Sequence, residues 1–205
     1  MKIAIFGASG RTGILIVFQA LKEGHQVTAY TRQEANITIR HNNLQIIEGD
    51  LADYVKVKSA IAGHDAVLCA LGADRGSAGT VLSDATRMII RAMEETGVRR
   101  LICMSSAGIL GNDAGFWFGK IFMPLFLRKV FADKRRQAEV IRASRLDWVI
   151  IRPVGLTDSP RTGTYKIHAD KPTSHSVPRA DVADFMLKLA ANTRYDHTMP
   201  AVSSH

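Results

Sequence analysis

Met1-Lys2-Ile3-Ala4-Ile5-Phe6-Gly7-Ala8-Ser9-Gly10-Arg11-Thr12-Gly13 runs from an apolar segment straight into three glycines spaced three apart. Beyond them Ile14, Val17, Ala20 and Leu21 recur at helical spacing. A short apolar run that stops at a turn reads as a buried parallel strand. A glycine turn between such a strand and a helix lets backbone amides approach a diphosphate at the helix N-terminus. Gly7, Ser9, Gly10, Arg11, Thr12 and Gly13 are therefore candidate dinucleotide-binding residues, with Gly13 also allowing the helix to lie close to the strand.

Outward from this unit the pattern repeats. Apolar runs at 26–30, 44–47, 65–71, 99–104 and 147–151 alternate with helical spacings, Val55, Val57, Ala60 and Ile61 in one, Leu82, Met88, Ile89, Ala92 and Met93 in another. Repeated βα units predict an α/β fold, a doubly wound parallel sheet of Rossmann type. With 205 residues, 46% apolar and 22% charged, one domain over 1–205 with a single core is expected. The connections near 108–130 and 155–178 follow late strands, where open parallel sheets build their ligand sites.

Cys69 and Cys103 lie inside apolar runs and read as small core hydrophobes kept reduced. The first apolar run is too short for a signal-peptide core, and the one over 121–127 contains Pro124 and falls far short of the roughly 20 residues that span a bilayer. A cytoplasmic protein without integral membrane contact is the expectation. The net charge of +8 favours anionic partners. The basic residues are dispersed and no helix-turn-helix or stacking motif accompanies them, so nucleic acid is not an expected partner. His168 and His175 have no zinc-like spacing and no nearby cysteine, so no metal is expected. The expected partner is a small-molecule substrate; the sequence leaves the oligomeric state open, with a monomer favoured.

After the second strand, where an NAD-selective protein places an acid for the ribose 2′-hydroxyl, this chain has Thr31 and Arg32. Arg32 can pair with a 2′-phosphate, and Arg11 or Arg40 can add a second charge, which predicts NADPH.

The G-x-x-G-x-x-G spacing, together with Val27-Thr28 to Arg32, Gly49-Asp50-Leu51, Ala66 to Gly72, Ser105-Ser106-Ala107, Arg152-Pro153, Thr162 to Tyr165 and Tyr195-Asp196, resembles the short-chain dehydrogenase/reductase superfamily. It is most similar to the atypical branch of small NAD(P)H-binding proteins that includes flavin and biliverdin-IX beta reductases. The resemblance implies that Asp50 and Leu51 flank adenine, that Leu71, Gly72 and Ala73 pass along the ribose and diphosphate, and that Ser105, Pro153 and Val154 line the cofactor site.

Better-known reductases of that superfamily use a serine, a tyrosine and a lysine four residues after it. Here Ser106 and Lys134 match, but the position four before Lys134 is Val130, which has no proton to give. General acid catalysis contributes about 10²- to 10⁴-fold, so its loss suits acceptors that are already electrophilic, such as flavins and linear tetrapyrroles. The expected activity is thus an NADPH-dependent reduction with the proton taken from solvent. Ser106 would order the acceptor or a water, and Lys134 would hold ribose hydroxyls or the carboxamide. The alternative is an NADP(H)-sensing regulator without turnover, which the missing tyrosine also permits. Phe116, Trp117 and Phe118, with Lys120 beside them, are a candidate wall for a flat anionic acceptor or else plain core. Gly155 joins the substrate candidates by the resemblance; mammalian flavin reductases carry a histidine there and another at the position of Lys134.

Overall fold

The computed structural model describes residues 1–72, 79–110, 125–169 and 171–205, with the side chains of 125–127 outside the description. Ala73, Phe116, Trp117, Phe118 and Lys120 therefore lie outside the described residues.

Ile3 and Ile5 of β1 (Lys2–Phe6) point to one face of the sheet, and Ala4 and Phe6 to the other, as the two-residue period of a strand requires. All four are essentially inaccessible, so both faces must be covered. Helices α1 (Gly13–Lys22) and α5 (Arg179–Ala190) cover the Ile3 face with Ile16, Val17, Phe185 and Met186. The Phe6 face is covered by α2 (Tyr54–Ile61), α3 (Val81–Thr96) and α4 (Leu125–Arg142), through residues such as Val57, Ile61, Ile89, Met93 and Ile141.

The strands between them are β2 (Gln26–Thr31), β3 (Leu44–Glu48), β4 (Ala66–Cys69), β5 (Arg100–Met104) and β6 (Asp147–Pro153). They stand in the order β3-β2-β1-β4-β5-β6, parallel throughout, with Ile3 opposite Val27 on one side and Ala66 on the other. This is the doubly wound α/β sheet expected from the repeated units. Chain order reverses at β1, leaving a crevice beyond its carboxyl end between the loops after β1 and β4.

The far edge departs from a purely parallel sheet. Beyond β6 come β10 (Ala201–Ser203), parallel to it, and β8 (Lys166–His168), antiparallel to β10. A separate pair, β7 (Gly155–Thr157) with β9 (Ser176–Pro178), brings the chain to the start of α5. Arg152 holds this edge from inside. Its fully buried guanidinium donates from Nε to the Met199 carbonyl at 2.6 Å and from Nη2 to the Ala169 carbonyl at 3.0 Å.

One residue of the sequence pattern falls on the wrong face. Val57, Ala60 and Ile61 are buried, but Val55 is 76% exposed. Two positions before Val57 is 200° around a helix, the solvent side.

Candidate active site

Gly7 has φ of +77°, and a Cβ there would lie 2.8 Å from the Ala70 carbonyl carbon and oxygen. The turn after β1 can thus stand against the end of β4 only with glycine. Gly10 N donates to Gly7 O at 3.0 Å, and a Cβ on Gly13 would collide with that same carbonyl. The helix begins at once: Ile14 N bonds Gly10 O at 2.9 Å and Ile16 N bonds the buried Thr12 at its carbonyl at 3.0 Å. Among the described residues the amides of Arg11 and Thr12 find no backbone acceptor, as expected at a helix N-terminus. This backbone, bare of Cβ atoms where it turns, fits a diphosphate.

The end of β2 is tied to this loop. Thr31 Oγ1 lies 2.9 Å from Ser9 Oγ and 3.1 Å from the Gln33 carbonyl, so Arg32 follows a fixed corner and is itself exposed. Arg40 is occupied locally, donating to the carbonyls of Ile37 and Ile39. Arg11 forms an ion pair with Asp158, whose other oxygen accepts from Arg179 Nη1 at 2.7 Å. The glycine loop is thereby joined to the segment after β7 and to the first residue of α5. Sequence reading missed Asp158 and Arg179, because two charges far apart along the chain leave no local pattern.

After β3, Gly49 has no room for a side chain beside the Tyr30 hydroxyl. That phenol donates to the Asp50 carbonyl at 2.7 Å, and burial, with Asp53 and Asp50 nearby, pushes its pKa up to about 12. Asp50 Oδ1 accepts from Ala52 N at 2.8 Å while its side chain stays exposed. Leu51 and Leu71 pack partly against the core, and Gly72 is exposed with open space around it.

At the end of β5, Ser105 N donates to Ile151 O at 2.8 Å, and the buried Ser105 Oγ has no hydrogen-bond partner among the described residues. Ser106, half-buried, comes next and offers its carbonyl to Ile109 N. From α4, Lys134 Nζ donates to Ser105 O at 3.0 Å, which brings the lysine to the serine pair. Burial holds the Lys134 amine below its usual range, against the opposing pull of Cys103 and Cys69. Val130, half-buried, stands one turn before it.

Asp133 determines where that lysine sits. Its buried carboxylate accepts from Leu82 N at 2.8 Å, Ser83 N at 3.2 Å and Ser83 Oγ at 2.7 Å, fastening α4 to the first turn of α3. A polar residue beside a candidate lysine was visible in the sequence, but its partner fifty residues earlier was not.

Pro153 is buried and Val154 half-buried at the end of β6, where Val154 N donates to Val202 O at 3.2 Å. Gly155 is set by packing: its amide donates to His175 O at 3.0 Å, and a Cβ would come within 2.7 Å of that oxygen. Asp181 lies in the first turn of α5 and spends its carboxylate on Thr162 N and Gly163 N, both at 2.9 Å, and on Thr162 Oγ1.

Among the described residues no helix is long and apolar enough to cross a membrane, and no cluster of His, Cys, Asp and Glu has metal-site geometry. Comparison with known proteins places relatives on the same frame. Protein YMR090W of Saccharomyces cerevisiae is 27% identical over 203 residues, covering 92% of this chain and 86% of that one. A short-chain dehydrogenase/reductase of Veillonella parvula, solved in complex with NADP, superposes with a TM-score of 0.84 at 22% identity over 99% of this chain and 94% of that one. ChuY of Escherichia coli O157:H7, an anaerobilin reductase, superposes with a TM-score of 0.81 at 23% identity over 100% and 97%. Residues 7–193 match the model of a family described as NAD(P)H-binding, from the first glycine of the turn after β1 to beyond α5, and the chain belongs to that family.

Proposed function

We propose that the protein is an NADPH-dependent reductase that delivers hydride to a flavin or a biliverdin-like linear tetrapyrrole, with the proton drawn from solvent. The observation that carries this reading is the Lys134 amine standing 3.0 Å from the Ser105 carbonyl at the end of β5, with Val130 in place of a phenol one turn earlier. A site that keeps the lysine and serines but lacks the acid positions a reduction without protonating its product.

In this reading the amides of the turn after β1 hold the diphosphate, and Arg32, following the Thr31–Ser9 contact, meets the 2′-phosphate. Lys134 orients the ribose or carboxamide near Ser105, and Ser106 orders the acceptor or a water. Bound there, the reduced nicotinamide supplies the hydride, and the chain's part is orientation and exclusion of water. The fold shared with ChuY, an anaerobilin reductase, is compatible with a flat tetrapyrrole acceptor.

The test is consumption of NADPH with FMN and with biliverdin, run beside binding measurements for NADP⁺ and NADPH. Turnover with either acceptor is the expected result. Comparable binding of the two cofactor forms without turnover would replace the reading with a regulator that senses NADP(H), which the valine at 130 equally favours.

A further inference from the structure

Cys69 closes β4, and Cys103 stands directly opposite it in β5. In-register neighbours of a parallel sheet project to the same face, and both residues belong to the core under α2, α3 and α4. The thiols are free and buried, and each is near enough to the other to shift its pKa. Strands about 4.8 Å apart bring paired Cα atoms within the roughly 4.4–6.8 Å over which a disulfide closes. Nothing in the reduction proposed above uses either thiol.

Their surroundings are not those of two inert core hydrophobes. Lys134 lies close enough for each thiol to feel its charge, and among the described residues it makes no ion pair with a carboxylate. Cys69 is drawn below the usual thiol range by the Cys103 S–H, against the cost of burial, with help from the Leu71 amide and Lys134. Cys103 is pushed well up by the same contact and by burial. The pair thus stands at the strand ends that lead into Leu71 and Ser105.

We propose that Cys69 and Cys103 are an oxidisable dithiol that a peroxide converts to an intramolecular disulfide linking β4 to β5 beneath Lys134. The Cys69 thiolate attacks a peroxide oxygen; the O–O bond breaks, hydroxide leaves and Cys69 becomes a sulfenic acid. Cys103 sulfur then attacks the Cys69 sulfur, the S–O bond breaks, and the departing hydroxide takes up a proton as water. Two thiols lose two electrons and hydrogen peroxide becomes two waters. Because both residues are buried, the oxidant reaches them through opening of the strand ends, and the reaction is slow.

The experiment treats the full chain with hydrogen peroxide, then measures intact mass without reductant and counts free thiols in denaturant. The expected product is a monomer lighter by two hydrogens with both thiols lost, restored by dithiothreitol. Cys103→Ser should stop at a sulfenic acid trapped by dimedone, Cys69→Ser should react at least about tenfold more slowly, and Lys134→Met should slow the wild-type reaction by about tenfold through loss of thiolate. Two thiols persisting after prolonged treatment, disulfide-linked dimers, or Cys69→Ser reacting as fast as the wild type would each overturn the proposal. None of these readouts requires turnover, so they stand or fall apart from the reductase reading.

Discussion

Arg32 follows a corner fixed by its neighbour, since Thr31 ties its hydroxyl to Ser9 in the turn after β1. If it meets a 2′-phosphate, Arg32→Ala weakens NADPH binding by about 1.5–3 kcal/mol, the range of hydrogen bonds to charged groups, while NADH binding hardly changes. Titration of both cofactors against the variant checks this, and equal losses count against a phosphate role. Ser106 carries a different expectation. With solvent supplying the proton, Ser106→Ala lowers kcat by about tenfold or less, and a fall beyond about 10³-fold would make its hydroxyl an obligatory relay. Gly7 and Gly13 were legible because the strand–turn–helix pattern fixes them locally, while Lys134 was reached only through the resemblance. Asp158, Arg179 and the facing cysteines were not, since their roles come from partners that only the assembled sheet brings near.

Among the elements, α4 is fastened to α3 through one buried carboxylate. Its Asp133 serves as the cap that α3 lacks from its own Thr80, which makes no side-chain capping bond. Asp133→Ala strands Leu82 N and Ser83 N in a buried site, while Ser83 Oγ keeps the Thr80 carbonyl, and should cost about 2–3 kcal/mol, read as a lower urea midpoint with little change in slope. Asp133→Asn keeps one accepting oxygen and should lose less. Because Lys134 is the next residue, the Ala variant should also raise the KM for NADPH. Helices α1, α2 and α3 were readable from their spacing and the first six strands from short apolar runs, while β7, β9 and β10 were not: three residues are too few to show alternation, and only pairing defines them.

The molecule as a whole carries its acid sensitivity in a few carboxylates. Lys58 and Arg91, donating to its two oxygens with the Tyr54 phenol nearby, hold Glu95 at about 2. Burial works to raise Asp184, but Lys188 and Tyr165 outweigh it and leave the group lowered; Arg99 lowers Asp147. Groups depressed in the folded state contribute stability that is complete above their unfolded values, 4.5 for Glu and 3.8 for Asp, and is lost as pH falls through the folded ones. The melting temperature should therefore hold steady down to about pH 5 and fall from there toward pH 2. Asp184→Asn should flatten that fall, and an unchanged slope would place the acid lability elsewhere.

Strand β10 lies between β6 and β8, although β8 precedes it by more than thirty residues. During synthesis β8 lacks its partner among the described residues until 201–203 are made, so β6 is left as an open edge and β8 as an unpaired ribbon while residues 169–203 are added. Open edges recruit strands from other chains. Stalling or truncation ahead of Ala201 thus turns a finished sheet into a self-associating one, which makes this small strand the molecule's closing latch.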